Sequence, residues 1–227
     1  MNEFGRVVLL GAPPATGKST VATELAEELL ECTGRPWRTI DNETLFTPQA
    51  RVIFAEASGL ELGSPEFART FNRHMQLCHQ EMCRLVASHG VNVVMQGPFE
   101  DLTCEVDGEP LWLKMVNHDF KGFGLIGVYM LLWPENNPEI TSTGILKCED
   151  FIPVEREIQA RLQKRGEGNQ IQTTLDADKH EPDYYRVRAK KVLHTAETFR
   201  IPVVRQRWTD ASQDVIEELT NAILEQL

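Results

Sequence analysis

A chain of 227 residues, 41% hydrophobic and 25% charged, is long enough to bury one sizeable core. Its formal net charge of −11 and pI near 5.1 argue against nucleic acid or an anionic membrane as partner, since both need a basic face. No apolar run approaches membrane-spanning length, Met1 to Gly5 is too short and polar for a leader, and five cysteines without a C-x-x-C pair indicate reduced thiols in a cytoplasm.

Val7-Val8-Leu9-Leu10 is the first predicted strand, and it runs into Gly11-Ala12-Pro13-Pro14-Ala15-Thr16-Gly17-Lys18-Ser19-Thr20. This stretch reads as a phosphate-binding loop: a buried strand that stops abruptly, a small-residue turn with inward amides, a lysine for the β/γ-phosphates of ATP and a hydroxyl, Ser19, for Mg²⁺. Ala12 stands at the first glycine of the G-x-x-x-x-G-K-[ST] pattern, with Gly11 one residue early. Alanine keeps the loop's shape where that position needs no positive φ. The alternative is a small-residue turn with a solvated Lys18; the helical pattern Val21, Leu25, Leu29 that follows favours the loop.

Lys18 to about Cys32 is an amphipathic helix with Ala22, Leu25, Ala26, Leu29 and Leu30 on its apolar face, stopped by Gly34. Trp37 to Asp41 is a short strand whose carboxyl end delivers Asp41, Asn42 and Glu43 to the edge of an open sheet where ligands bind. Asp41 is the candidate for orienting or deprotonating an acceptor hydroxyl, with Glu43 behind it. The same residue would also serve as N-cap of the next helix. A helix over Gln49 to Ala57 ends at Ser58-Gly59, and Pro65 opens a long one to Gly90 with Phe67, Phe71, Met75, Leu77, Cys78, Met82, Leu85 and Val86 as its apolar stripe. His74, Cys78, His79 and Cys83 on this helix lack metal-ligand spacing and read as packing residues. Arg69 and Arg73 suit an acceptor's anionic group, but Glu66 and solvent account for them equally well.

Val91 to Met95 is a central strand ending at Gln96-Gly97-Pro98-Phe99. Val106 to Glu109 is a turn and Pro110 to His118 a helix. Leu125 to Leu132 is a nearly continuous apolar run, as expected of a parallel strand covered on both faces. Glu135 to Phe151, without clear period, reads as an insertion or a mobile loop. Pro153 to Lys164 is helical, with Ile158 and Leu162 inward. Arg161 and Arg165, four apart, are placed to reach transferring phosphates, although Glu157, four residues before Arg161, offers an ordinary helical ion pair. Pro182 to Phe199 is a further helix, Ile201 to Val204 an edge strand, and Val215, Ile216, Leu219, Ile223 and Leu227 mark the last helix. This order implies an α/β fold with a parallel sheet and helices on both faces.

The sequence resembles the P-loop kinase superfamily that includes nucleoside monophosphate, gluconate, shikimate and adenylylsulfate kinases, chloramphenicol phosphotransferase and zeta toxins. Gly11 to Thr20, Asp41 with Glu43, Gln96 to Phe99 and Arg161 to Gly166 carry the resemblance. It implies a three-layer sandwich with a parallel five-stranded sheet and a helical lid, in one domain over 1–227. It further implies an acceptor-binding segment near 42–90, an insertion plus lid near 135–181, and an adenine cradle near Arg205 to Asp210. By resemblance, Lys18, Asp41, Arg161 and Arg165 are catalytic, Ala12 to Thr20 bind ATP, Ser19 binds Mg²⁺, and the partner is a small-molecule phosphate acceptor, with a homodimer as a further expectation. Where many relatives have an acid this chain has Gln96, so Glu100, Asp101 or Asp41 must take over its part. The rival expectation is a regulatory switch that hydrolyses ATP slowly and signals through a protein partner. A GTP-binding switch would carry Asn/Thr-Lys-x-Asp, which the chain lacks.

Overall fold

The computed structural model describes residues 4–41, 47–136, 139–166, 183–207 and 209–227. Five strands, β1 (Val7–Gly11), β2 (Trp37–Asp41), β3 (Asn92–Gly97), β6 (Leu125–Leu132) and β7 (Val203–Gln206), form one sheet in the order β2-β3-β1-β6-β7. All four pairings are parallel, which requires a crossover between every pair of strands and explains why helices cover both faces. Glu105–Val106 (β4) and Glu109–Pro110 (β5) make a small hairpin around Asp107 and Gly108, both at positive φ, as a two-residue connection demands.

One face of the sheet carries α1 (Lys18–Thr33) and α7 (Ser212–Leu224), which bury Val21, Leu25 and Leu29 with Val215, Ile216 and Leu219 against Val8, Leu10, Val94 and Val128. The other face carries α3 (Pro65–Ser88), α5 (Ile152–Gly166) and α6 (Tyr184–Phe199) over Leu9, Met95, Tyr129 and Leu131. Strand alternation sends odd and even residues of β1 to opposite layers, which is why its four apolar residues are all fully buried. The predicted sandwich with a five-stranded parallel sheet is observed, and β7 lies at an edge as its proline suggested.

Four sequence expectations change. On α1, Leu30 is 46% exposed, because at about 100° per residue it turns past the edge of the arc that Val21, Leu25 and Leu29 bury. On α3, Leu77, Met82 and Leu85 are exposed. Phe67 and Phe71 are buried as expected, and the rest of the buried face is His79, Gln80, Cys83 and Ala87, which brings a histidine and a thiol inward. The segment 139–151 is packed rather than mobile: Ile145 and Phe151 are fully buried in short 3₁₀ turns, and buried Ser142 donates from its hydroxyl and its amide to Glu197 on α6. The helix expected over 110–118 is shorter, α4 (Leu111–Lys114), and continues as a π turn over Met115–Asp119.

Candidate functional site

The loop between β1 and α1 lies at the carboxyl end of the sheet beside the ends of β2 and β3, where open α/β sheets bind ligands. Ala12 is not among the positive-φ residues; the left-handed conformations fall on Ala15 (φ 63°) and Gly17 (φ 88°). The loop therefore tolerates alanine at its first position and places its backbone cost at Ala15. A Cβ on Gly17 would meet nothing within 4 Å, so glycine is there for its φ. Buried Thr16 closes the loop by donating to the Pro13 carbonyl at 2.8 Å, and the Ala12 amide donates to Gly97 at 3.3 Å.

α2 (Pro48–Ser58) and α3 are capped by the side chains of Thr47 and Ser64, whereas the N-terminus of α1 receives no side-chain cap. Those first-turn amides, with the positive end of the helix, form a ready anion site. Lys18 is only 7% exposed, which sets aside the solvated-lysine alternative. Alternating left-handed and ordinary backbone, an uncapped helix start and a tucked lysine fit a nucleoside phosphate.

Ser19 Oγ donates to Asp41 Oδ2 at 3.1 Å, joining the first turn of α1 to the end of β2. The N-cap alternative for Asp41 is overturned, because Thr47 caps α2 by accepting from the Ala50 amide at 3.1 Å. Gln96 is the in-register partner of both Leu10 and Asp41, so it projects from the same sheet face as they do. It is 4% exposed, and its Oε1 is buried without a hydrogen-bond partner among the described residues. Of the three acids considered as replacements for one at Gln96, Asp41 reaches the loop. Glu100 pairs with Arg188 on α6 and Asp101 accepts from Thr103.

Arg161, on α5, donates from Nε to Glu157 at 2.7 Å and from Nη1 to the Ala15 carbonyl at 3.3 Å. The expected ion pair exists, and the same guanidinium also reaches the loop. The Arg165 side chain, Glu43, and the polar stretch 170–181 lie outside the described residues. Arg69 and Arg73 are exposed, and Arg73 acts electrostatically on the Asp107–Lys114 ion pair of the hairpin. On β7, Arg205 stacks over Trp133 at 4.5 Å, and beyond the strand Thr209 donates to Glu135. Among the described residues no helix is long and apolar enough to cross a membrane.

The underside of the site was not legible in the sequence. A Cβ on Gly11 would strike the Tyr129 ring, and one on Gly97 would lie 2.5 Å from the Phe99 ring. Tyr129 donates its hydroxyl to the Phe99 carbonyl at 2.7 Å, fixing Phe99 at φ 32°. The His79 ring stacks on Phe99 with centroids 6.1 Å apart. Burial lowers the His79 pKa, opposed by its bond to the Ile40 carbonyl and by Asp41 and reinforced by Lys18, so the imidazole is neutral at pH 7. The four-residue spacing of Phe71, Met75, His79 and Cys83 was the available signal for its inward placement.

With this geometry, solved structures of similar architecture are informative. A "putative kinase" from Chloroflexus aurantiacus superposes over 99% of both chains with a TM-score of 0.51 at 8% identity. The chain shares that α/β fold, a five-stranded parallel sheet with helices on both faces. Shikimate kinase from Bacteroides thetaiotaomicron aligns over 97% of this chain and 98% of its own, with a TM-score of 0.42 and 14% identity. No protein-family profile matches the sequence, and no curated protein matches it either.

Proposed function

We propose that this protein is an ATP- and Mg²⁺-dependent kinase that transfers the γ-phosphoryl group to a hydroxyl or phosphate of a small molecule. The Ser19–Asp41 hydrogen bond carries the reading, because it sets a hydroxyl and a carboxylate together beside an uncapped helix start and a buried lysine. That is the donor set a magnesium nucleotide needs. Ser19 and Asp41 would hold Mg²⁺, which would supply charge neutralisation at the transferring phosphate.

The chain's own residues supply positioning. Amides from Ala12 to Thr20 and the Lys18 ammonium bind the phosphates. Ser19 and Asp41 offer oxygen ligands, and Asp41 is also placed to accept the acceptor hydroxyl's proton. Arg161 touches the loop through the Ala15 carbonyl and would turn its guanidinium to the transferring phosphate. By the resemblance, the acceptor lies toward α2 and α3, α5 with Arg165 serves as the lid, and the segment around Arg205 to Asp210 cradles the base; a cytoplasmic homodimer is part of the same proposal.

The test is ATP consumption with Mg²⁺ across a panel of hydroxylated metabolites, antibiotics, nucleosides and nucleotides. A kinase consumes ATP in proportion to one acceptor class. Slow consumption that is equal with every compound would favour the regulatory switch.

A further inference from the structure

The core face of α3 carries one histidine, and its placement is specific. His79 has no exposed surface, and its Nε2 lies 2.9 Å from the carbonyl oxygen of Ile40. The Pro36 carbonyl accepts from the Asn92 amide, and strand alternation turns the Ile40 carbonyl toward β3 as well, so His79 adds a second donor to that oxygen from the α3 side. Ile40 immediately precedes Asp41, whose carboxylate accepts the Ser19 hydroxyl. The bond from α3 therefore acts on the peptide next to the residue on which the proposed metal chemistry depends.

The imidazole is held from a second side. Its ring lies at 19° to that of Phe99, and Phe99 is fixed in turn by Tyr129 and by the absence of a side chain on Gly97. His79 Nδ1 is buried with no hydrogen-bond partner among the described residues. An unpaired buried N–H is costlier than an unpaired lone pair beside an aromatic ring, so the proton belongs on Nε2, where the Ile40 carbonyl accepts it. A buried imidazole needs an acceptor for its N–H, and here that acceptor is the carbonyl of the peptide that joins Ile40 to Asp41.

We propose that His79 is a positioning residue: its Nε2–H···O=C bond to Ile40 fixes the end of β2 so that Asp41 is presented to Ser19 and to a nucleotide-bound divalent cation. This rests on the Mg²⁺-nucleotide reading of the site. Residues that orient ligands from behind commonly change metal affinity or activity about 10–100-fold when removed.

The experiment measures ATP affinity by calorimetry with and without Mg²⁺, for the wild type, Asp41→Asn, His79→Leu and His79→Gln. The glutamine amide places a donor close to the position of Nε2. The proposal expects His79→Leu to cut the Mg²⁺-dependent gain in affinity about tenfold, with metal-free ATP affinity unchanged, and His79→Gln to restore most of it. An unchanged gain in both variants, or equal loss in both, overturns it. If the wild type shows no gain, or Asp41→Asn leaves a wild-type gain intact, the reading of the site itself fails, and that result is distinct from a failure of His79 alone. Should His79→Leu not fold, ¹⁵N-resolved imidazole spectra of the wild type decide the matter: a proton on Nε2 supports the proposal, and one on Nδ1 overturns it.

Discussion

Asp41 and Gln96 are in-register partners across β2 and β3, so the carboxylate that accepts the Ser19 hydroxyl stands beside a buried neutral amide. This arrangement limits the negative charge at the end of the sheet. Gln96→Glu would place a second carboxylate in a site that is 96% buried by the complement of its 4% exposure, at a cost of about 1–3 kcal/mol. Burial and Asp41 would raise the new group's pKa above its unfolded value of about 4.3. The variant's stability relative to wild type is then fully kept below that value and lost as pH rises through the raised pKa. Urea denaturation at pH 5 and pH 7.5 checks this: the deficit should be larger at the higher pH.

Gly11 faces the Tyr129 ring so closely that no Cβ fits. Tyr129 is fully buried and tied to the Phe99 carbonyl, so the ring cannot step aside without breaking that bond. Gly11→Ala should cost about 1–3 kcal/mol by overpacking, and Gly11→Ala with Tyr129→Leu should recover part of it. Thermal denaturation of the single and double variants measures the coupling.

Burial pushes the Cys83 thiol up to about 12. Because the folded value lies above the unfolded one of about 8.5, its contribution to stability is complete below that pH and is lost as pH rises toward the folded value. Between pH 8 and pH 10 the loss amounts to about 2 kcal/mol. The stability difference between wild type and Cys83→Ala should shrink by about that amount over the same interval. A difference that stays constant contradicts the burial of the thiol.

Arg161 is half-exposed, and its pairing with Glu157 is of the i,i+4 kind worth about 0.3–0.5 kcal/mol. Arg161→Ala should therefore leave thermal stability nearly unchanged. If the guanidinium stabilises a transferring phosphoryl group, turnover falls about 10²–10³-fold. Glu157→Ala, which removes the surface pair alone, should leave turnover close to wild type.

Much of this arrangement is legible in the residue order. The strand and turn at Val7 to Gly17, the glycine stops at Gly34 and Gly59, and the proline start at Pro65 are local signals, and the elements form where those signals place them. Asp41 could be placed at a strand end but not linked to Ser19, since that bond depends on β2 lying outside β3 in the sheet order. Leu77, Met82 and Leu85 are apolar but lie off the four-residue spacing that starts at Phe67, so hydrophobicity alone misplaces the α3 face. Its register is set instead by Phe67 and Phe71, which pack with Phe54 of α2, and continuing their spacing brings His79 and Cys83 inward. The aromatic underside of the loop joins residues from three strands and one helix, a relation that local pattern does not carry.

The central claim is that the loop binds a nucleotide through its phosphates, and calorimetric titration of Mg²⁺-ATP into wild type and Lys18→Ala tests it most directly. Loss of a charged hydrogen bond of about 1.5–3 kcal/mol predicts roughly ten- to hundredfold weaker binding, with the folded structure retained. Equal affinity for the two proteins would contradict the account.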